Sequence, residues 1–156
     1  MSTAKKVWPG TLGNILSWFG TLPFIIATII CFTKFKIFVW PFLVVIISTY
    51  AAMIVTFVAG SHWGMSATLD YKKAKKIMIS SNVITLLAWA GILFPSWIVS
   101  WSIILVCYWL AFLMDRVIFL NGGSSMTYLK MRLYITVFVS LSLLIMMYLG
   151  RSQLWS

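Results

Sequence analysis

The chain has 156 residues, of which 62% are hydrophobic and 9% charged, with 12 basic residues against 2 acidic ones. A soluble domain carries about 25% charged residues and needs them to cover its surface, so this composition excludes a soluble globular protein. Two acidic residues exclude a di-metal carboxylate site, the single histidine excludes a haem held by two histidines, and two isolated cysteines argue against structural zinc.

We therefore expect no cofactor and no metal.

The formal net charge of +10 could point to anionic partners. The basic residues fall between apolar runs, however, and form no face interleaved with stacking aromatic residues, as a nucleic-acid groove needs. Lys and Arg are common in the cytoplasmic loops of membrane proteins. The charge is thus interpreted as a topology signal, and the expected partner is a lipid bilayer, not nucleic acid.

Five apolar runs approach the ~20 residues that a helix needs to cross ~30 Å of hydrocarbon. They predict an all-α, polytopic membrane helix bundle with about five transmembrane helices. Short turns make neighbouring helices antiparallel, so residues 1–156 are predicted to form a single transmembrane helical domain. The fourth span is predicted to end before Gly122 and Gly123, which can adopt the left-handed backbone that terminates a helix. The predicted spans are 12–33, 38–64, 77–94, 97–120 and 131–150.

The first span follows Lys5 and Lys6, as the apolar region of a signal peptide would. Its run exceeds the usual length of about 7–15 residues, and no small-residue cleavage motif follows it. We expect an uncleaved signal anchor. Pro23 is predicted to kink this helix, because proline removes a backbone donor inside the span.

Basic residues are divided unequally between the two sides of a five-span bundle. Cytoplasmic loops carry the excess of Lys and Arg, so the amino terminus is predicted to be cytoplasmic, in a bacterial inner membrane. The lysine run at 72–76 is interpreted as a topology signal in a solvated loop, with attraction to anionic lipid as the alternative. One side holds Lys5, Lys6, Lys72, Lys73, Lys75, Lys76, Arg116, Lys130 and Arg132, and the other holds Lys34, Lys36 and Arg151.

The second span ends in a run of small residues that contains the single histidine. Gly60 and Gly64 form a GxxxG motif, which predicts a helix-packing face because it lets a neighbouring backbone approach closely. His62 lies between them, either hydrogen-bonded to a neighbouring helix or acting as a ligand or proton carrier. Trp63 is predicted to lie at the inner membrane interface.

Three ionisable residues are predicted to reach one depth. His62 lies 22 residues after Trp40, and Asp115 lies 18 residues after Trp97, which puts both near the inner ends of their helices. Arg132 begins the fifth span at the same level. Asp115 near a helix C-terminus and Arg132 near a helix N-terminus each oppose the helix dipole, so pairing would compensate both.

Two further residues extend this predicted polar cluster. Arg116 competes for Asp115, although adjacent residues on a helix point about 100° apart. Tyr128 lies four residues before Arg132 and shares its face if the last helix begins early. Three interpretations stay open: an ion pair that holds helices in register, a site for an anionic headgroup, a quinone or another small polar ligand, and a proton relay.

Three short motifs carry a resemblance to a known family. They are Phe57–Gly64, which ends in Trp-Gly; Asp115 at the end of the fourth span; and Tyr128-Leu129-Lys130-Met131-Arg132 followed by Thr136. The chain resembles a family of small multi-pass membrane proteins of unknown function that includes the transmembrane protein 69 group. The resemblance covers about residues 12–150, with Ala59 where a second glycine is expected. It implies a five-helix inner-membrane protein and no established activity, substrate or cofactor.

Two functional hypotheses follow from these features. The first is a non-enzymatic accessory, assembly or binding protein of the inner membrane, because a small bundle with few catalytic groups offers mainly packing surfaces. Its partner would be another membrane protein complex or a second copy in a homo-oligomer. The alternative is a lipid- or quinone-binding protein, or a small transporter, that uses the polar cluster at the cytoplasmic interface.

Overall fold

The protein is described by a computed structural model that covers residues 11–33 and 36–151. Within these ranges all regular structure is helical, which confirms the all-α fold class. Lys5, Lys6 and Lys34 lie outside the described residues, so the cytoplasmic position of the amino terminus stays a prediction. The helices are α1 (Thr11–Phe19), α2 (Leu22–Cys31), α3 (Lys36–Ser66), α4 (Tyr71–Ile92), α5 (Trp97–Leu120) and α6 (Met126–Arg151).

The first predicted span is broken between α1 and α2. Pro23 is among the first two residues of α2. In a continuous helix its ring would clash with the carbonyl four residues earlier, that of Phe19, where α1 ends. The break therefore lies one turn before the proline that causes it. The Gly20 carbonyl, which the break leaves without a helical donor, accepts a hydrogen bond from Tyr50 Oη of α3 at 2.9 Å.

Helices α3 and α5 pack side by side and run in the same direction. Trp101 Nε1 on α5 donates to Ser48 Oγ on α3 at 2.8 Å. His62 Nε2 on α3 lies 3.0 Å from Asp115 Oδ1 on α5. Both pairs are 53 residues apart in sequence, so the two helices keep one register for about four turns. Helix α4 connects the end of α3 to the start of α5 and runs back between these levels.

Four helical segments are long and apolar enough to cross a bilayer, which makes this an integral membrane protein. Helix α4 is absent from this set because four of its first six residues are lysines. The lysine run at 72–76 is thus helical, where the sequence predicts a loop. The parallel arrangement of α3 and α5 nevertheless supports a fifth crossing by α4. The four segments are Leu12–Cys31, Val39–Ser66, Trp97–Leu120 and Met126–Arg151.

Three tryptophans pack together at the end of the bundle where α3 and α5 begin. The ring centroids of Trp40, Trp97 and Trp101 lie 5.2 to 6.0 Å apart. Gly150, near the end of α6, lies so close to Trp40 that a Cβ atom there would overlap the indole ring. The end of α6 therefore meets the starts of α3 and α5, and α6 runs antiparallel to both.

A glycine pair terminates α5 and directs the chain into α6. Gly122 has φ +77°, in the left-handed region that favours glycine. The Gly123 N–H donates to the Ile118 carbonyl and the Gly122 N–H to the Phe119 carbonyl, both at 2.9 Å, which is the Schellman pattern. Helix α5 is regular up to Leu120, and α6 begins at Met126, five residues before the predicted span. This early start places Tyr128 on the helix.

Candidate functional site

Four side chains from three helices meet at the end of the bundle that carries the lysines of α4. His62 comes from α3, Asp115 from α5, and Tyr128 and Arg132 from α6. His62 and Asp115 are 0% exposed, Arg132 is 5% and Tyr128 is 7%. We name these four residues the polar junction. They come together because α3 and α5 share one register and α6 returns antiparallel beside α5.

Asp115 is the centre of the polar junction. Its Oδ1 accepts hydrogen bonds from His62 Nε2 at 3.0 Å and from Tyr128 Oη at 3.1 Å. Its Oδ2 accepts from Arg132 Nε at 2.9 Å. A carboxylate has about four lone-pair sites, so three donors nearly saturate it. The hydrogen bonds to this buried carboxylate therefore connect α3, α5 and α6.

The ion pair between Asp115 and Arg132 stabilises two charges that would each be unfavourable alone inside the protein. Asp115 lies near the C-terminal end of α5 and Arg132 near the N-terminal end of α6, so each helix dipole disfavours the charge that it carries. A charge buried without a partner carries a large desolvation penalty. The contact between the two groups offsets both effects at once, and it ties α5 to α6 at this level.

The tautomer of His62 follows from its partner. An ionised carboxylate can only accept hydrogen bonds, so His62 Nε2 carries the proton that it shares with Asp115. The other ring nitrogen, Nδ1, is buried and has no hydrogen-bond partner among the described residues. His62 thus donates one hydrogen bond through Nε2, and its Nδ1 could still form a second one.

Two polar residues that the sequence reasoning did not place in the cluster lie deeper on the same helices. Tyr108 Oη and Thr136 Oγ1 are buried without hydrogen-bond partners in the described part of the chain, as is Arg132 Nη2. Tyr108 precedes Asp115 by two turns, and Thr136 follows Arg132 by one turn. Tyr108 and Thr136 thus lie about 10.5 Å and about 6 Å deeper in the bundle than Asp115 and Arg132, respectively. The sequence contained a signal for this placement: Tyr108 is seven residues from Asp115 and Thr136 is four residues from Arg132, and residues at these spacings share one face of a helix.

Trp63 and Arg116 lie outside the polar junction. Trp63 is 45% exposed and Arg116 is also exposed. Each directly follows a buried junction residue, and adjacent residues on a helix point about 100° apart. The Arg116 side chain therefore cannot compete for Asp115, and Arg132 takes that place.

Gly60 and Gly64 have no packing partner among the described residues of this chain, and their predicted packing role stays a prediction. A Cβ atom at either position would meet no atom of residues 11–33 or 36–151 within 4 Å. The small residue that faces α4 is Ala59, which is fully buried and whose carbonyl accepts a hydrogen bond from the Ser81 hydroxyl. Ala59 stands where a second glycine was expected. The close glycine contact on α4 is instead at Gly91, where a Cβ would lie 3.0 Å from Ile103 Cγ2 of α5.

The hydrogen bonds of the polar junction converge on one carboxylate. Asp115 is the single carboxylate in it, and its donors hold it in place. Among residues 11–33 and 36–151, no three His, Cys, Asp or Glu side chains gather as a metal site needs. A cavity of about 180 Å³ lies at the opposite end of α3 and is lined by none of the four junction residues.

Comparison with known proteins gives one family. Its description is a protein of unknown function (DUF3429), and it matches residues 12–148. This range includes all of the polar junction and nearly all of the described helices. Neither the curated proteins nor the solved structures include a match to the chain. The chain belongs to this family of proteins of unknown function.

Proposed function

We propose that the chain is a non-enzymatic accessory protein of the inner membrane that binds a transmembrane helix of another membrane protein. The observation that carries the proposal is an open face on α3. Met53 and Phe57 are 67% and 78% exposed, and Gly60 and Gly64 continue the same face, with no described residue packed against either glycine. We name these four residues the glycine face.

Lipid makes such a face suitable for helix association. Lipid tails are as apolar as leucine, so burial of apolar surface gives little driving force between helices in a bilayer. Close approach of two backbones, with the van der Waals contact that it allows, gives association instead. Gly60 and Gly64 lie one turn apart and provide that approach on the outside of the bundle.

The polar junction supports this proposal in two ways. It secures α3 to α5 and α6 through His62, so the glycine face belongs to a helix with a defined position. It also pairs the buried acid and base with each other, so both groups are already engaged inside the bundle. Recognition of a partner would then use the outer surface of the helices. The relation to the transmembrane protein 69 group, the inner membrane and the cytoplasmic amino terminus are parts of the same proposal.

Gentle extraction tests the proposal. The full chain is purified in mild detergent, and the material that accompanies it is identified by native mass spectrometry. Gly60→Leu with Gly64→Leu should release the partner, because the leucine side chains hold the helices apart. Ser102→Leu is the matched control, since Ser102 is an exposed small residue on α5.

The outcomes separate the alternatives. A monomer with no associated protein, or a partner that both leucine variants retain, would reject the accessory role. A complex whose mass is a multiple of the 17.7 kDa chain would replace it with a homo-oligomer.

A second candidate function is favoured by the unpartnered atoms of the polar junction. Two nitrogen atoms lack a hydrogen-bond partner among the described residues: His62 Nδ1, and Arg132 Nη2, which is a donor. A lipid headgroup, a quinone or a transported solute could contact them. Phosphatidylglycerol or a short-chain ubiquinone should then raise the unfolding temperature of the wild-type protein, and His62→Gln should reduce that increase. An equal increase in both proteins would count against this candidate.

A further inference from the structure

A pocket of about 180 Å³ lies between α3, the turn that joins α4 to α5, and the first turn of α5. Its walls include Val44, Val45, Phe94 and Trp97, which are apolar. For comparison, an engineered cavity of about 150 Å³ in another protein binds benzene. The pocket can therefore hold a ring or a short length of alkyl chain.

One polar group in the wall is without a partner. Ser100 lines the pocket, is 3% exposed, and its hydroxyl has no hydrogen-bond partner among the described residues. Other serines nearby are satisfied. Ser48 Oγ donates to the Val44 carbonyl at 2.7 Å and accepts from Trp101, and Ser102 Oγ donates to its own helix at 2.8 Å. An unpaired buried hydroxyl lowers stability, so Ser100 favours a ligand that supplies an acceptor.

We expect the pocket to lie near a membrane–water interface, where membrane amphiphiles change from polar to apolar. Val45 and Phe94 are 62% and 48% exposed, so the pocket opens on the outside of the bundle. Trp97 packs with Trp40, and tryptophan is enriched at membrane–water interfaces. Ser100 follows Trp97 by three residues, about 4.5 Å along the helix. That depth suits a carbonyl near the interface.

We propose that this pocket binds a membrane amphiphile that presents a carbonyl oxygen to the Ser100 hydroxyl and an apolar group to Val44, Val45 and Trp97. Two molecules share this chemistry: the acyl ester of a glycerolipid and the ring of a quinone. The pocket lies at the opposite end of α3 from the polar junction. It is also separate from the glycine face, so the two proposals can fail independently.

The test compares ligands that differ in the carbonyl. The full chain is purified in detergent, and native mass spectrometry measures retention of three probes: an ester-linked phosphatidylglycerol, its ether-linked analogue of equal chain length, and a short-chain ubiquinone. Ser100→Ala should weaken retention of a carbonyl probe about twofold to tenfold, the effect of one neutral hydrogen bond. Ser102→Ala, two residues further along α5, should change nothing.

Two further measurements keep a folding defect apart from a binding defect. Without added amphiphile, Ser100→Ala should unfold at the wild-type temperature or above, since it removes an unsatisfied hydroxyl. Val44→Phe should fill the pocket and lower retention of all probes, because it leaves no space for the apolar group.

Each result assigns or rejects the site. Retention of the ester lipid above the ether lipid, lost in Ser100→Ala, identifies a glycerolipid. Retention of ubiquinone alone, lost in the same variant, identifies a quinone. Equal retention of every probe by the wild-type protein, Ser100→Ala and Val44→Phe would overturn the proposal.

Discussion

Arg132 Nε on α6 lies 2.9 Å from Asp115 Oδ2 on α5, and both side chains are almost completely buried. Each residue lies near a helix end whose dipole disfavours its charge. The two groups are therefore stable in this position only as a pair. Loss of one partner should cost far more than loss of both, and this asymmetry can be measured.

Asp115→Asn should lower the free energy of unfolding by about 3–5 kcal/mol, because it leaves the Arg132 charge buried and uncompensated. Unfolding by sodium dodecyl sulfate in mixed micelles measures the change. Asp70→Asn is a matched control, since Asp70 is the other acid of the chain. Its side chain is 81% exposed and contacts Lys73 at 3.4 Å, so the expected loss is below about 1 kcal/mol. Equal effects of the two substitutions would contradict a buried ion pair.

The double variant Asp115→Leu with Arg132→Met should be more stable than either single variant. Both charges are then absent, and the desolvation penalty disappears with them. A double-mutant cycle in the same unfolding assay gives the coupling energy. Additive losses would show that the two residues act independently, in conflict with their contact.

Tyr50→Phe should destabilise the protein by about 1–2 kcal/mol, because it leaves the Gly20 carbonyl at the helix break without a donor. Tyr148→Phe is the control, since Tyr148 on α6 is 79% exposed and should stay within about 0.5 kcal/mol of the wild type. Thermal unfolding in detergent compares the two variants. Identical unfolding temperatures would mean that Tyr50 does not stabilise the break.

Alanine substitutions should divide the glycines into two groups. Gly150→Ala should cost about 1–3 kcal/mol, since its Cβ would overlap Trp40. Gly60→Ala and Gly64→Ala should be neutral or stabilise by up to about 1 kcal/mol, because they improve helix propensity without a steric contact. The unfolding assay ranks all three. A loss of stability at Gly60 comparable to that at Gly150 would show a neighbour inside the monomer.

Several features of the site could be anticipated from linear distance. A helix rises about 1.5 Å per residue, so counting from Trp40 and Trp97 places His62 and Asp115 at one depth before any contact is known. The opposition of Asp115 and Arg132 to their helix dipoles likewise depends only on position along a helix. The break at Phe19, one turn before Pro23, is also a local effect.

Rotation about the helix axis could not be anticipated in this way. Gly60 and Ala59 are neighbours of similar size, yet Ala59 faces α4 and Gly60 faces outward. Arg116 was a candidate partner of Asp115 for the same reason, since depth does not distinguish adjacent residues. The burial of Tyr108 and Thr136 below the polar junction likewise depends on which side of α5 and α6 faces the bundle.

The sequence by itself determined that the chain is a bundle of membrane-spanning helices, because lipid demands apolar length and a backbone that satisfies its own hydrogen bonds. The tertiary structure alone decided which side of each helix faces protein. In a soluble protein the polar face of a helix marks the surface, but here lipid and core accept the same apolar residues. Only interhelical contacts, such as Ser48 with Trp101 and His62 with Asp115, set the rotation of each helix.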